Sequence, residues 1–136
     1  MKLTTFIRYN YRTIIWSLVI LVLSWVPGKS IPEFSFWSLL SFDKFAHAAV
    51  YAILVLVTIV GQSKQYRFSF YRSKIVIRSL IFSTVYGIGV EIFQAYSNTG
   101  RHMEFADMIA NTIGGLLGVA IFYIIYGKAV HARVED

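Results

Sequence analysis

The sequence contains no cysteine. That excludes a disulfide framework, thiolate metal ligation and a cysteine nucleophile together. Charge is scarce as well: 15% of the 136 residues are charged and 57% are hydrophobic, and the mean hydropathy is +0.60. So little charge does not suit a surface in water, and the chain is expected in lipid. Proline is limited to Pro27 and Pro32, which bracket the first loop. No internal repeat or low-complexity tract appears, and four short spans without broken-helix repeats leave little machinery for alternating-access transport. Metal-ligand spacing is missing too. There is no His-x-x-x-His or Glu-x-x-His pair, so a cation held by His47, Glu91 and Asp107 is set aside, and neither metal nor cofactor is expected.

What is present is four apolar segments, Thr13 to Pro27, Phe45 to Gly61, Ile75 to Tyr96 and Phe105 to Tyr126. A bilayer core about 30 Å thick needs about 20 helical residues, so the first two need about one extra turn each, which Tyr9, Tyr11 and Phe42 supply. The expectation is one all-α domain over residues 1–136, a four-helix transmembrane bundle with spans at about 9–27, 43–61, 75–96 and 105–126. The first segment is not read as a signal peptide, because Trp25 and Val26 make a poor cleavage site and three more spans follow.

Orientation follows from lysine and arginine. Nine of the thirteen basic residues lie before the first span, between the second and third, or after the fourth. Only Lys29, Lys44 and Arg101 lie on the other side, and Arg78 is expected to snorkel from the third span to the inner interface. Basic loops stay in the cytoplasm, so both termini are expected there, in a multi-pass protein of the bacterial cytoplasmic membrane. The net charge of +6 is then a matter of topology and anionic headgroups, and no nucleic-acid partner is implied.

Polar residues collect toward the outer side. Asp43, His47 and Tyr51 are four apart and share one helical stripe, as do Asp107 and Asn111, while Glu91 and Gln94 are three apart. Gly114 and Gly118 continue the fourth stripe as a small-xxx-small pattern for close helix packing. Lipid offers buried carboxylates and amides no partners, so these faces are expected to converge in a polar cup opening at the outer, extracytoplasmic face.

The series Asp43, Lys44, His47, Tyr51, Gly87, Glu91, Gln94, Arg101, Asp107, Asn111, Gly114 and Gly118 resembles the VanZ-like family of bacterial membrane proteins, named for a member linked to resistance to the glycopeptide teicoplanin. The match runs from Asp43 to Gly118. It departs from the pattern at Ser97, Asn98 and Thr99, ahead of Gly100 and Arg101, where relatives often carry a proline. The resemblance implies an enzyme acting on a membrane lipid or lipid-linked cell-envelope precursor, by hydrolysis or transfer at a phosphate-bearing head group. The alternative is a non-enzymatic module that binds such a precursor, an antibiotic or a partner membrane protein.

The residue types suit the enzymatic reading. Arg101 offers a forked donor set to phosphate and Lys44 a point charge. His47 is the candidate nucleophile or general base, with Asp43 one turn earlier to orient its ring. Glu91 is the candidate proton donor, and Asp107 either shares that work or holds Arg101. Tyr51, Gln94 and Asn111 would hydrogen-bond phosphate or sugar. Each also has a structural reading: Glu91 with Arg101 as a buried ion pair, Asp107 as a favourable charge at a helix start, Gln94 and Asn111 as interhelical hydrogen bonders.

Overall fold

The computed structural model describes residues 3–25, 36–66, 72–97 and 105–131. They form four helices, α1 (Leu3–Ser24), α2 (Phe36–Gln65), α3 (Arg72–Tyr96) and α4 (Phe105–His131), with no strand among the described residues. All four contain stretches long and apolar enough to cross a membrane: Leu3–Ser24, Phe42–Gln65, Ser73–Tyr96 and Phe105–Gly127. The helices outrun the apolar segments at several ends, because hydropathy marks the part that suits lipid whereas a helix continues until something stops it. At Ser24 the stop is visible: its hydroxyl donates to the Leu21 carbonyl at 2.7 Å, and the Trp25 amide turns back to Val22 at 3.1 Å.

The chain runs up and down. Helices α1 and α3 finish, and α2 and α4 begin, at the same end of the bundle, since Gln94 reaches the carbonyl of Ser24 and Lys44 pairs with Asp107. The most extensive packing is between α2 and α4; α1 lies against α2 with little contact to α3, and α1 and α4 do not touch among the described residues. The α2–α4 contact explains Gly114 and Gly118. A Cβ at either would overlap a backbone carbonyl oxygen of α2, that of Ala48 or Ala52. Because lipid tails are as apolar as leucine, helices associate in a bilayer through such close packing and through interhelical hydrogen bonds.

Two apolar clusters fill the interior. Val55, Ile59, Val60, Ile75 and Phe122 form the one away from the shared polar end, and Ile20, Tyr51, Leu54 and Val90 the one beneath it. Trp16 and Tyr86 border the second cluster and hydrogen-bond across helices, Trp16 Nε1 to the Val50 carbonyl at 3.0 Å and the Tyr86 hydroxyl to the Ser17 carbonyl at 2.5 Å. At the opposite end Asn10 donates to Gln65 at 2.7 Å, and Gly61 allows α1 in, a Cβ there standing 2.8 Å from the Tyr9 carbonyl oxygen. The outward faces carry leucine, isoleucine, valine and phenylalanine, with Leu18, Val22, Ile81, Val85, Leu116 and Ile124 all exposed. Apolar surface of that extent is unsuited to water and natural against lipid tails.

Candidate functional site

The shared end of α2 and α4 carries a compact polar cluster. Asp43, Lys44 and His47 come from the start of α2 because residues four apart stack on one face and Lys44 sits beside them. Asp107 and Asn111 come from the first turns of α4 by the same spacing. Lys44 Nζ is bonded to Asp107 Oδ1 and lies 3.5 Å from Asp43 Oδ2. The Asp107 side chain is only 10% exposed and that of Lys44 22%, so each charge depends on the other for what water no longer supplies.

His47 lies between the two carboxylates. Its Nε2 is 3.9 Å from Asp43 Oδ1 and 4.0 Å from Asp107 Oδ2, beyond hydrogen-bond length. Its Nδ1 lies 3.0 Å from Asn111 Oδ1. An amide oxygen only accepts, so with Asn111 in this orientation Nδ1 carries the proton and donates, and the neutral ring has its lone pair on Nε2. Asn111 thus selects the tautomer that turns the basic nitrogen toward the carboxylates.

One turn deeper, Tyr51 is buried, and its hydroxyl has no hydrogen-bond partner among the described residues. Neither has Asn111 Nδ2. Both border the space over Gly87 of α3, where a Cβ would stand 3.2 Å from the Tyr51 oxygen and 3.3 Å from Asn111 Nδ2. Glycine there lets the third helix approach. Glu91, one turn further along α3, is fully buried and within electrostatic reach of Tyr51.

The sequence-expected residues therefore divide. Asp43, Lys44, His47, Asp107 and Asn111 converge; Tyr51 underlies them, and Glu91 sits behind Tyr51 on α3. Gln94 points elsewhere in part, its amide donating to the Ser24 carbonyl at 3.3 Å, where it satisfies the end of α1. Arg101 lies outside the described residues, so its expected pairing with a carboxylate does too; the cation seen on Asp107 is Lys44. No metal set is expected from the sequence, which sets His47, Glu91 and Asp107 aside, yet a different trio gathers: ligand atoms of Asp43, His47 and Asp107 all lie within 4.8 Å of one another. Spacing along a single helix carries no sign of that trio, because Asp107 arrives from α4.

Aromatic rings surround this end. Trp25, Phe42, Phe45, Tyr96 and Phe105 are exposed, so α2, α3 and α4 each contribute at least one and the turn after α1 another, and Trp25 meets Phe93 edge-on at 6.0 Å. Rings of this kind prefer the headgroup level of a bilayer.

A family model described as VanZ/LLP1 matches residues 1–126, all but the last ten. No curated protein and no solved structure gives a significant match.

Proposed function

The chain belongs to the VanZ/LLP1 family, and from that membership we propose an enzyme of the cell envelope that modifies lipid head groups at the outer face of the bacterial cytoplasmic membrane. The reaction is hydrolysis or transfer at a phosphate-bearing lipid or lipid-linked precursor. An altered precursor pool would connect it with resistance to teicoplanin-type glycopeptides. One observation carries the reading: His47 presents Nε2 beside two carboxylates while Asn111 holds Nδ1. That is the arrangement of a positioned general base, its ring fixed through one nitrogen and its other nitrogen open to a proton.

In this reading His47 Nε2 takes the proton from the attacking hydroxyl, of water in hydrolysis or of an acceptor alcohol in transfer. The oxygen then bonds to phosphorus as the bond to the leaving oxygen breaks. Asp43 and Asp107 stabilise the imidazolium, and Lys44 with Arg101 supplies positive charge to the phosphate oxygens. Glu91 returns a proton to the leaving oxygen. The outward orientation is supported by the distribution of lysine and arginine, and the headgroup depth by the aromatic rings.

The second reading is a non-enzymatic module that binds a lipid-linked precursor, an antibiotic or a partner membrane protein. The observation in its favour is that Lys44 is already paired with Asp107, which lowers the charge available to a phosphate. One experiment separates the two. Purified protein incubated with a panel of envelope phospholipids and polyprenyl-linked precursors, followed by mass spectrometry, is expected to yield a product altered at its head group. Lipids that co-purify or bind but are recovered unchanged across the panel would support the binding module instead.

A further inference from the structure

We infer that Asp43, His47 and Asp107 form a site for a divalent cation of the Zn²⁺ type, and that an ion held there occupies Nε2 of His47. The ion site follows from geometry alone; its consequence for activity rests on the proposed role of His47 as base.

Three observations support the ion. The first is distance. Zinc bonds nitrogen and oxygen at about 2.0–2.2 Å, which sets tetrahedral ligands about 3.4 Å apart. His47 Nε2 stands 3.9 and 4.0 Å from the facing oxygens of Asp43 and Asp107, so the three atoms reach bonding distance with shifts of a fraction of an ångström. The facing atoms are a lone pair and two anionic oxygens with no hydrogen bond among them. Lys44 pairs with the carboxylates through their other oxygens, so a positive centre between the three adds to what Lys44 supplies.

The second is the outer shell. Metal-bound imidazoles almost always donate their other ring nitrogen to a fixed acceptor, and bound carboxylates are themselves hydrogen-bonded. Here Nδ1 is held by Asn111 at 3.0 Å. Lys44 bonds Asp107 through Oδ1 and lies near Oδ2 of Asp43, whereas the oxygens turned toward His47 are Oδ2 of Asp107 and Oδ1 of Asp43. Each carboxylate thus offers one oxygen to lysine and the other to the inferred ion.

The third is hydrogen-bonding capacity that the described residues leave unused. Asn111, buried and directly against His47, has an unpartnered Nδ2, and the Tyr51 hydroxyl beside it is unpartnered as well.

One imidazole with two carboxylates, and no cysteine in the protein, suits Zn²⁺ above Mn²⁺ in the usual affinity order, with Mg²⁺ and Ca²⁺ disfavoured by the nitrogen. Three protein ligands leave a fourth position for water. While the ion is bound, Nε2 has no lone pair for proton transfer, so occupancy silences His47 as a base.

The test uses the full chain, tag-free, in detergent and stripped with chelator, then titrated with Zn²⁺ by calorimetry, with metal content measured after dialysis. One Zn²⁺ per chain is expected, with a rise in melting temperature. His47→Gln should abolish the binding, Asp43→Asn should weaken it at least about tenfold, and Asn111→Ala should weaken it about 10- to 100-fold. Asp43→Asn alters the most exposed member of the trio, and helical circular dichroism checks that each variant is folded. Absence of saturable binding, or binding left unchanged by these substitutions, would overturn the site. Where the protein turns over a lipid, Zn²⁺ should inhibit with the same midpoint as binding; stoichiometric binding without inhibition would overturn the silencing of His47. The binding arm needs no turnover, so it passes or fails even if the lipid reading is wrong.

Discussion

Gly114→Leu is expected to prevent the protein from accumulating, and the paired change Gly114→Ala with Gly118→Ala to come close to doing so. At Gly114 a Cβ would overlap the carbonyl oxygen of Ala48 and stand 2.8 Å from its Cα, and at Gly118 it would overlap the carbonyl oxygen of Ala52. The obstructing atoms are backbone in the middle of α2, so no rotamer change relieves them, and α2 and α4 must move apart. Overpacking in a filled interior typically costs about 1–3 kcal/mol and occasionally more. Two such sites one turn apart on the most extensive helix contact are expected to exceed that range. The same movement would separate Lys44 and His47 from Asp107 and Asn111, so any protein that did fold would lose the polar cluster. Gly89 is the matched control. Nothing lies within 4 Å of a Cβ there, and alanine is a better helix former than glycine by about 1 kcal/mol. Thermal melting in detergent should rank Gly89→Ala at or above the native protein and the Gly114 and Gly118 variants well below it. Equal melting temperatures across the set would contradict the close approach of α2 and α4.

His47→Gln should lower lipid turnover about 10²- to 10⁴-fold, the usual contribution of a positioned general base, while leaving the melting temperature near native. Glutamine keeps an amide N–H able to reach the Asn111 oxygen, so the bridge from α2 to α4 survives. What it removes is a nitrogen that can take a proton. A histidine serving only to join two helices would be replaced with little change in turnover, so the ratio of the two effects separates catalysis from architecture. The comparison is of initial rates at equal folded concentration, on whichever lipid the native protein consumes, with metal removed from both samples.

The helices and their polar stripes were legible in the sequence because each rests on local regularity. Apolar runs of membrane length marked the four helices, and spacings of four marked Asp43 with His47 and Asp107 with Asn111. The glycine pair announced a close contact without naming its partner. Less legible was anything decided by rotation of one helix against another. Lys44 follows Asp43 directly and so stands off the stripe that drew attention, yet it supplies the cation bonded to Asp107. Gln94 appeared to belong with Glu91 in the cup, but its amide serves the end of α1. The trio of Asp43, His47 and Asp107 depends on two helices 60 residues apart in the chain coming into register, which no spacing within one helix foretells. The helix ends also eluded hydropathy, since α1 begins at Leu3 and α4 continues to His131, where the polar composition had suggested interface.

The account depends above all on which side of the membrane the cluster faces, because the proposed head-group site lies at the outer face. With no native cysteine, a single thiol can report it. Ser97, at the end of α3 beside the polar end of the bundle, and Lys64, exposed near the opposite end of α2, would each be changed to cysteine and treated in intact cells with a membrane-impermeant maleimide. Ser97→Cys is expected to label in intact cells and Lys64→Cys only after permeabilisation. The reverse pattern would place His47 and its carboxylates on the cytoplasmic side and contradict the outward head-group site.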